Sequence, residues 1–206
     1  MADGTRQRIL DAAKAEFLGK GYTGASLRVI AKGAGVTTGA LYGYFDGKSA
    51  LFDALVGEEV AHFYREFREA QVAFWNMPRE RQRAEMHGHS RAALLSLTNY
   101  MFDHFDAFRL LLCSASGSKY EDWLEPVIAF EEESTKVFIE SLRADGLPVR
   151  DMSDELIHML CTSFFRGVME TVIHNMSRRE ALAHLELLHE YSGAGWNALL
   201  GLAPDR

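Results

Sequence analysis

The chain has 206 residues, of which 48% are hydrophobic and 25% are charged, and its formal net charge is −7. This length fits one large or two small domains with a packed core. No apolar run reaches the roughly 18 residues of a membrane span, and the N-terminus lacks the apolar core of a signal peptide. We therefore expect a cytoplasmic protein with no membrane partner, in which Cys113 and Cys161 are free thiols.

The charge is unevenly distributed along the chain. Residues 1–50 contain seven lysines and arginines and four acidic residues, a net +3, whereas the rest of the chain sums to −10. A basic N-terminal segment on an acidic body would orient the approach to DNA and keep the body away from its phosphates. The asymmetry favours nucleic-acid binding by the N-terminal segment but does not establish it alone.

The first predicted elements form a small helical group. A helix is predicted over residues 5–20, because apolar residues recur there at helical spacing and glycines follow. Ser26 and Thr37 are expected to be the N-caps of the next two helices, which a glycine-containing turn at 33–35 separates. Periodicity places Ala40, Leu41 and Phe45 inward. Two helices joined by such a turn are typical of the helix-turn-helix unit, whose second helix enters the DNA major groove.

Helical periodicity continues to the C-terminus, without strand-like alternation. A long helix is predicted over residues 48–76, with Pro78 ending it. Further helices are predicted over 79–104 (interrupted near Gly88), 107–114, 121–144, 153–175 and 178–200. The predicted fold is therefore all-α, with about nine helices: a three-helix N-terminal group and a larger C-terminal bundle.

Residues 6–51 resemble the N-terminal domain of the TetR family of bacterial transcriptional regulators. About a quarter of the chain carries the resemblance, at many positions of fixed spacing: Arg8-Ile9-Leu10-Asp11-Ala12-Ala13, Phe17, Gly21-Tyr22, Ser26-Leu27, Ile30-Ala31, Ala34-Gly35-Val36-Thr37, Gly39, Leu41-Tyr42, Tyr44-Phe45 and Lys48. The rest is similar to the family only in length and helical character. The resemblance implies a DNA-binding domain over residues 1–48 and a ligand-binding and dimerisation domain over 49–206.

The resemblance also implies which side chains contact DNA. The predicted set comprises Ser26, Arg28, Thr37, Thr38, Gly39, Ala40, Tyr42, Tyr44 and Lys48. Within it Thr37, Tyr42, Tyr44 and Lys48 would contact the phosphate backbone, and Arg28, Thr38, Gly39 and Ala40 would face base edges. The recognition helix that begins near Thr37 lacks Asn, Gln and Arg, which read bases with paired hydrogen bonds. Arg28, on the helix before it, is therefore the best candidate for a guanine contact. Intramolecular packing remains the alternative for Tyr42, and a solvated surface position remains the alternative for Lys48.

Large, soft side chains are concentrated in the body. Aromatic and methionine side chains line adaptable apolar cavities in which a few polar groups fix the ligand. The predicted ligand-binding residues are Met101, Phe102, Phe105, Phe108, Trp123, Phe165, Arg166 and Met169. Core packing is the alternative for the apolar members, and a salt bridge to Glu170 is the alternative for Arg166.

The last two predicted helices carry more apolar surface than one buried face needs. Because two-fold symmetric operators are bound by two-fold symmetric proteins, we expect these helices to form a dimer interface. The predicted interface residues are Leu160, Phe164, Gly167, Leu185, Leu188 and Trp196. The alternative is that both helices close the core of their own monomer.

No catalytic constellation, metal site or cofactor site is apparent. His87 and His89 are two residues apart, which does not place both on one helical face. The sequence Gly47-Lys48-Ser49 lacks the earlier glycine of a phosphate-binding loop, because Tyr42 occupies that position. We therefore predict that the protein is not an enzyme and holds neither metal nor cofactor.

These observations predict a ligand-responsive transcriptional regulator, most simply a repressor. A homodimer would bind a palindromic double-stranded DNA operator, and a small-molecule effector of unknown identity would weaken that binding. A coupling of roughly 1–3 kcal/mol changes operator affinity by about 5–150-fold. The alternative is a small-molecule-binding helical protein with a vestigial DNA-binding head.

Overall fold

The computed structural model describes residues 2–202, with side chains from Gly4 onward. Within that range the chain is all-helical and contains nine helices, which confirms the predicted fold class. They are α1 (Ala2–Gly24), α2 (Leu27–Gly33), α3 (Thr38–Tyr42), α4 (Lys48–Trp75), α5 (Arg79–Asp103), α6 (Phe105–Cys113), α7 (Glu125–Ala144), α8 (Asp154–Ile173) and α9 (Arg178–Leu200).

Several helix ends are fixed by local hydrogen bonds. At the start of α9, the Ser177 hydroxyl accepts from the Glu180 amide, and the Glu180 carboxylate accepts from the Ser177 amide, forming a capping box. Helix α9 ends at Gly201, whose φ of 68° is left-handed. At the junction between α4 and α5, the Gln82 carboxamide nitrogen lies 3.1 to 3.3 Å from the last two carbonyl oxygens of α4 and the carbonyl oxygen of Met77. These contacts satisfy groups that a helix end leaves open.

Two predicted boundaries are wrong. Helix α5 runs without a break through Gly88, because the packing of a long helix outweighs the roughly 1 kcal/mol that one glycine costs. Helix α7 begins at Glu125 rather than near residue 121. The Glu121 carboxylate instead accepts hydrogen bonds from the Ser116 hydroxyl and the Gly117 amide, at 2.8 and 3.1 Å, and these bonds hold a turn.

The chain divides into two compact units. The first contains the residues up to Phe63 together with Asp103–Trp123, and the second contains Tyr64–Phe102 together with the chain from Leu124 onward. The predicted domain boundary at residue 48 thus lies within the first unit, at the start of α4. Assignment of DNA binding to residues 1–48, and of ligand binding and dimerisation to 49–206, stays a prediction.

Each unit has its own apolar core. Phe17 and Phe52 meet edge to face in the first unit, with ring centroids 5.0 Å apart. In the second unit, α8 packs against α7 and α9. Among the described helices, α8 is the one that is long and apolar enough to cross a membrane, judged by length and composition. The core helix of a globular domain passes the same test, and seven residues of α8 are buried.

Candidate functional site

The first three helices form a head around a small core. Ile9, Phe17, Ile30 and Leu41 are at most 1% exposed, and Phe45 is 6% exposed. The inward positions that periodicity predicts for Leu41 and Phe45 are therefore confirmed. The core fixes α2 and α3 against α1, and the opposite faces of α2 and α3 stay in solvent.

The turn between α2 and α3 is held by backbone hydrogen bonds. Gly35 has a φ of 68°, a left-handed conformation that favours glycine. The Val36 amide donates to the Ala31 carbonyl at 3.0 Å, and the Arg8 guanidinium donates to the Ala34 carbonyl at 3.2 Å. The angle between the two helices is therefore fixed by the head itself.

Helix α3 presents small and hydroxylated residues to solvent. Thr37 is its N-cap, as predicted, and its hydroxyl accepts from the Ala40 amide at 3.1 Å. Thr38, Gly39 and Ala40 are exposed. The prediction that Ala40 faces inward is wrong, because the five-residue helix turns its first residues outward and buries only Leu41.

Gly39 is not required by the packing of the head. A Cβ built at this position would meet nothing closer than the Thr37 hydroxyl oxygen, at 3.9 Å. Two tyrosines follow on the same exposed stretch, and Tyr42 is 54% exposed and Tyr44 39% exposed. The intramolecular packing considered for Tyr42 is therefore limited, and its ring is open to a partner.

The N-terminal part of α2 adds a cationic side chain. Arg28 is exposed and forms no ion pair with any residue that the structure describes. Ser26 is the N-cap of α2, as predicted, but its side chain makes no capping hydrogen bond. Its amide instead donates to the Glu16 carboxylate at 3.2 Å. The Ser26 hydroxyl thus has no structural role as a cap.

Lys48 is neither a solvated surface lysine nor wholly available to a phosphate. Its ammonium donates to the carbonyl oxygens of Tyr22 and Thr23, at 2.8 and 3.1 Å. It also lies 5.1 Å from the centroid of the Tyr22 ring. Two of its three N–H groups therefore bind the end of α1, and one remains.

A comparison with models of known protein families gives a match to this head. The model of the family described as bacterial regulatory proteins, tetR family, matches residues 9–55. Residues 9–55 are a TetR-family helix-turn-helix domain.

Relatives agree with this assignment, and a solved structure shares the fold. Over 55 residues the chain is 47% identical to the HTH-type transcriptional regulator SrpR of Pseudomonas putida. This match covers 27% of this chain and 26% of SrpR, so the chain spans about a quarter of that relative's length. The chain is 39% identical over 74 residues to the HTH-type transcriptional repressor BepR of Brucella suis. This match covers 36% of this chain and 34% of BepR. The TetR-family regulator PfmR of Thermus thermophilus has the same fold, with a TM-score of 0.53, 19% identity, and coverage of 97% and 98%.

The unit that contains the TetR-family head also contains α6. The Lys14 ammonium contacts the Asp106 carboxylate at 2.7 Å. The Tyr22 amide donates to the Ser114 carbonyl at 2.7 Å, and the Thr23 hydroxyl donates to the Ser116 carbonyl at 2.9 Å. Helix α6 and the loop after it are thereby fastened to α1.

The second unit contains a cavity of about 210 Å³. Side chains from α4, α5, α7, α8 and α9 line it, so it is a space inside the helical bundle, where ligand sites commonly occur. Its aromatic residues are Phe67, Phe74, Trp75, Phe138, Phe164, Phe165 and Trp196.

One carboxyl group lies among these rings. Burial raises the pKa of Glu131 to about 7, although a hydrogen bond from the Gln71 carboxamide, at 2.5 Å, acts to lower that pKa. Glu131 keeps some accessible surface, and because it lines the cavity we assign that surface to the cavity rather than to bulk water.

Three histidines also line the cavity, and the protein itself binds each of them. His89 donates to the Ala70 carbonyl at 2.8 Å. His87 meets the Asn197 side chain at 2.9 Å, and His189 meets the Ser90 hydroxyl at 2.8 Å. The described residues contain no group of three His, Cys, Asp or Glu side chains placed to hold a metal ion.

The cavity differs from the predicted ligand-binding set. Of that set only Phe165 lines it. Met101 and Met169 are buried in the second unit, and Phe102 belongs to that unit as well. Phe105, Phe108 and Trp123 belong to the first unit, where Trp123 packs edge to face on Phe63 with centroids 5.5 Å apart. Core packing, the alternative considered for these residues, describes most of them.

Arg166 lies on the exposed side of α8. Its guanidinium pairs with the Glu125 carboxylate at 2.7 Å, whereas the carboxylate of Glu170, the partner considered from the sequence, pairs with His174 at 3.0 Å. Arg166 therefore has a partner on α7 and does not line the cavity.

Most residues that line the cavity could not be predicted from the sequence, although one signal was present. Glu131 lies on the apolar stripe of α7, four residues after Val127 and seven before Phe138, and both of these are buried. A carboxylate on such a stripe is disfavoured unless something satisfies it. That conflict marks a site, whereas nothing local distinguishes Phe74 or Trp75 from core residues.

The predicted dimer residues divide into four groups. Leu185 is 1% exposed and belongs to the core of its own unit. Gly167 faces Leu188 closely, because a Cβ on Gly167 would lie 3.3 Å from the Leu188 side chain. Phe164 and Trp196 line the cavity, and Leu160 is half-buried. The exposed apolar residues of these helices are others: Leu156, Met159, Ile173, Leu187 and Tyr191.

Proposed function

We propose that this protein is a ligand-responsive transcriptional repressor that binds palindromic double-stranded DNA as a homodimer. The observation that carries the proposal is the exposed N-terminal turn of α3, where Gly39 leaves open space that the head does not fill. Backbone amides and short side chains at such a turn can approach phosphates and base edges closely. Arg28 supports a base contact, because its guanidinium is exposed and unpaired among the described residues.

Ser26, Thr37, Thr38, Ala40, Tyr42 and Tyr44 complete the proposed DNA surface, in which the hydroxyl groups of Thr37, Tyr42 and Tyr44 face the phosphate backbone and Thr38 and Ala40 face base edges. Lys48 contributes its remaining N–H and its charge, while its other donors hold α1. A single head of this size reads few base pairs, so the proposal requires two heads on one operator.

The proposed dimer surface lies on α8 and α9. Leu187 and Tyr191 are one helical turn apart on α9 and are 65% and 80% exposed, and Met159 of α8 is 62% exposed. Water-exposed apolar side chains grouped in this way are typical of protein interfaces. We propose these residues as the centre of the interface, in place of Leu185 and Leu188.

Chain connectivity offers a path from ligand to DNA. Helix α5 lines the cavity with His87, His89 and Leu97, and α6 begins two residues after α5 ends. Helix α6 is fastened to α1 by the contact between Lys14 and Asp106. A ligand that displaces α5 would therefore pull on the head and change the distance between the two heads of a dimer.

A gel-shift assay with the DNA upstream of the protein's own gene tests this function. We expect a specific complex that survives excess unrelated DNA and forms at two copies of the protein per operator. Failure to shift any upstream fragment, with the protein folded and dimeric, would leave the cavity as the functional part and favour a small-molecule-binding protein with a vestigial head. We retain the predictions of a cytoplasmic protein without catalytic activity, metal or cofactor.

A further inference from the structure

We propose that the cavity of the second unit selects ligands that pair a protonated amine with an apolar body, and that Glu131 binds the amine. This inference rests on the proposed function only in treating the cavity as the effector site. It is carried by Glu131, the single carboxyl group among the described residues that line the cavity.

The carboxyl group of Glu131 has one open oxygen. Gln71 donates to Oε2, and Oε1 accepts no hydrogen bond from any described residue. Oε1 is not fully buried. Because Glu131 lines the cavity, we infer that this oxygen faces the space of the cavity. A carboxylate oxygen in this position can accept a charge-assisted hydrogen bond from a ligand.

The charges around the cavity favour a cation. Within the described chain no lysine or arginine lines it, and the three histidines that do line it bond to Asn197, Ala70 and Ser90 rather than to Glu131. An anionic ligand would instead place a like charge beside Glu131 in an apolar space. The faces of Phe67, Phe74 and Trp75 offer further attraction to a cation and an apolar surface for the rest of the ligand.

The acidity of Glu131 is consistent with such an occupant. Burial raises the pKa of Glu131 because the charged form loses its hydration and gains no cationic neighbour. A bound ammonium group would supply that neighbour and lower the pKa, and the ligand would in turn bind more tightly to the ionised carboxylate.

Three probes with one carbon skeleton test the inference: 4-phenylbutylamine, 4-phenylbutanol and 4-phenylbutyrate. Binding to the full chain at pH 8 is followed by the fluorescence of Trp75 and Trp196, which line the cavity. We expect the amine to bind about tenfold more tightly than the alcohol, and the acid to bind most weakly. Equal affinities for amine and alcohol, tightest binding of the acid, or no saturable response to the amine would overturn the inference.

Matched variants locate the recognition. Glu131→Gln should lower amine affinity to that of the alcohol and leave the alcohol unchanged. Glu133→Gln removes an exposed carboxylate of the same helix and should change neither. An unchanged amine preference in Glu131→Gln would also overturn the inference, and the wild-type comparison decides it if that variant does not fold. An amine that binds through Glu131 without releasing DNA contradicts the ligand-responsive regulation and leaves this inference intact.

Discussion

The surface of the head consists of small, exposed side chains that a compact core holds in place, whereas the cavity of the second unit is lined by large rings from five helices. In the head, the contact that starts α3 joins residues close in sequence, the Thr37 hydroxyl and the Ala40 amide three residues later. In the cavity, Phe67 and Trp196 lie nearly 130 positions apart along the chain and still line one space. Local geometry therefore specifies the proposed DNA surface, and tertiary packing specifies the proposed ligand site.

The largest expected effect comes from disrupting the proposed dimer. Leu187→Glu combined with Tyr191→Glu places two charges on the exposed apolar face of α9 and should give a folded monomer. Without a second linked head, operator affinity should fall by about 100-fold or more. Light scattering and gel shifts measure both quantities. Val72→Glu, at another exposed apolar residue, is the control, and a double variant that stayed dimeric would place the interface elsewhere.

The acidity of Glu131 predicts a pH-dependent stability of the second unit. Its pKa is raised to about 7 in the folded chain, above its ordinary value near 4.5, so the folded state holds a proton that the unfolded state has lost. Stability should therefore be full below about pH 4.5 and fall by up to about 3 kcal/mol as pH rises to about 7.

Urea unfolding at several pH values measures this slope. Glu131→Gln carries no titrating group at this position and should remove the corresponding part of the slope, while Glu133→Gln should keep it. Identical pH profiles for the wild type and Glu131→Gln would show that the carboxyl group is hydrated in the folded protein.

Arg28 tests the base-reading side of the head. Arg28→Ala should reduce discrimination between operator variants by about 1–3 kcal/mol at one base pair. Because Arg28 is exposed, the free energy of unfolding should change by less than about 0.5 kcal/mol. Lys32→Ala, at an exposed residue of the same helix, is the control and should leave that discrimination unchanged. Competition binding with single-base operator variants measures this discrimination. If Arg28→Ala discriminated as well as the wild type, Arg28 would not belong to the interface.

Lys48 combines a structural and an electrostatic role, so its removal should give two smaller effects. Lys48→Ala loses two hydrogen bonds to the end of α1 and should lower the free energy of unfolding by about 1 kcal/mol. Loss of one phosphate contact should also flatten the salt dependence of DNA binding by about one unit of slope. Lower stability with an unchanged slope would make Lys48 a purely structural residue.

The contrast between the two regions explains what the sequence could predict. Helix-turn-helix spacing, the N-caps Ser26 and Thr37, and the core of the head follow from positions at most a few residues apart. The bounds of α9 were predictable because a capping box and Gly201 mark its ends. Which face of α9 is buried was not, because Leu185 and Tyr191 are both apolar and only the packing of α8 decides between them. The prediction that Trp123 lines the ligand cavity failed for a similar reason, because only tertiary packing places this apolar side chain on Phe63 in the first unit.

The open space beside Gly39 provides the most direct test of the DNA surface. Gly39→Leu should fold, because nothing lies within 3.9 Å of its Cβ position, and Gly19→Leu is a matched control at an exposed helical glycine of the same head with nothing within 4 Å. Both changes should leave stability equal or raise it by up to about 1 kcal/mol. Fluorescence anisotropy with labelled operator should show a loss of about tenfold or more for Gly39→Leu, since a side chain there would meet DNA, and no loss for Gly19→Leu. Equal operator affinity of the two variants would contradict the placement of DNA against α3.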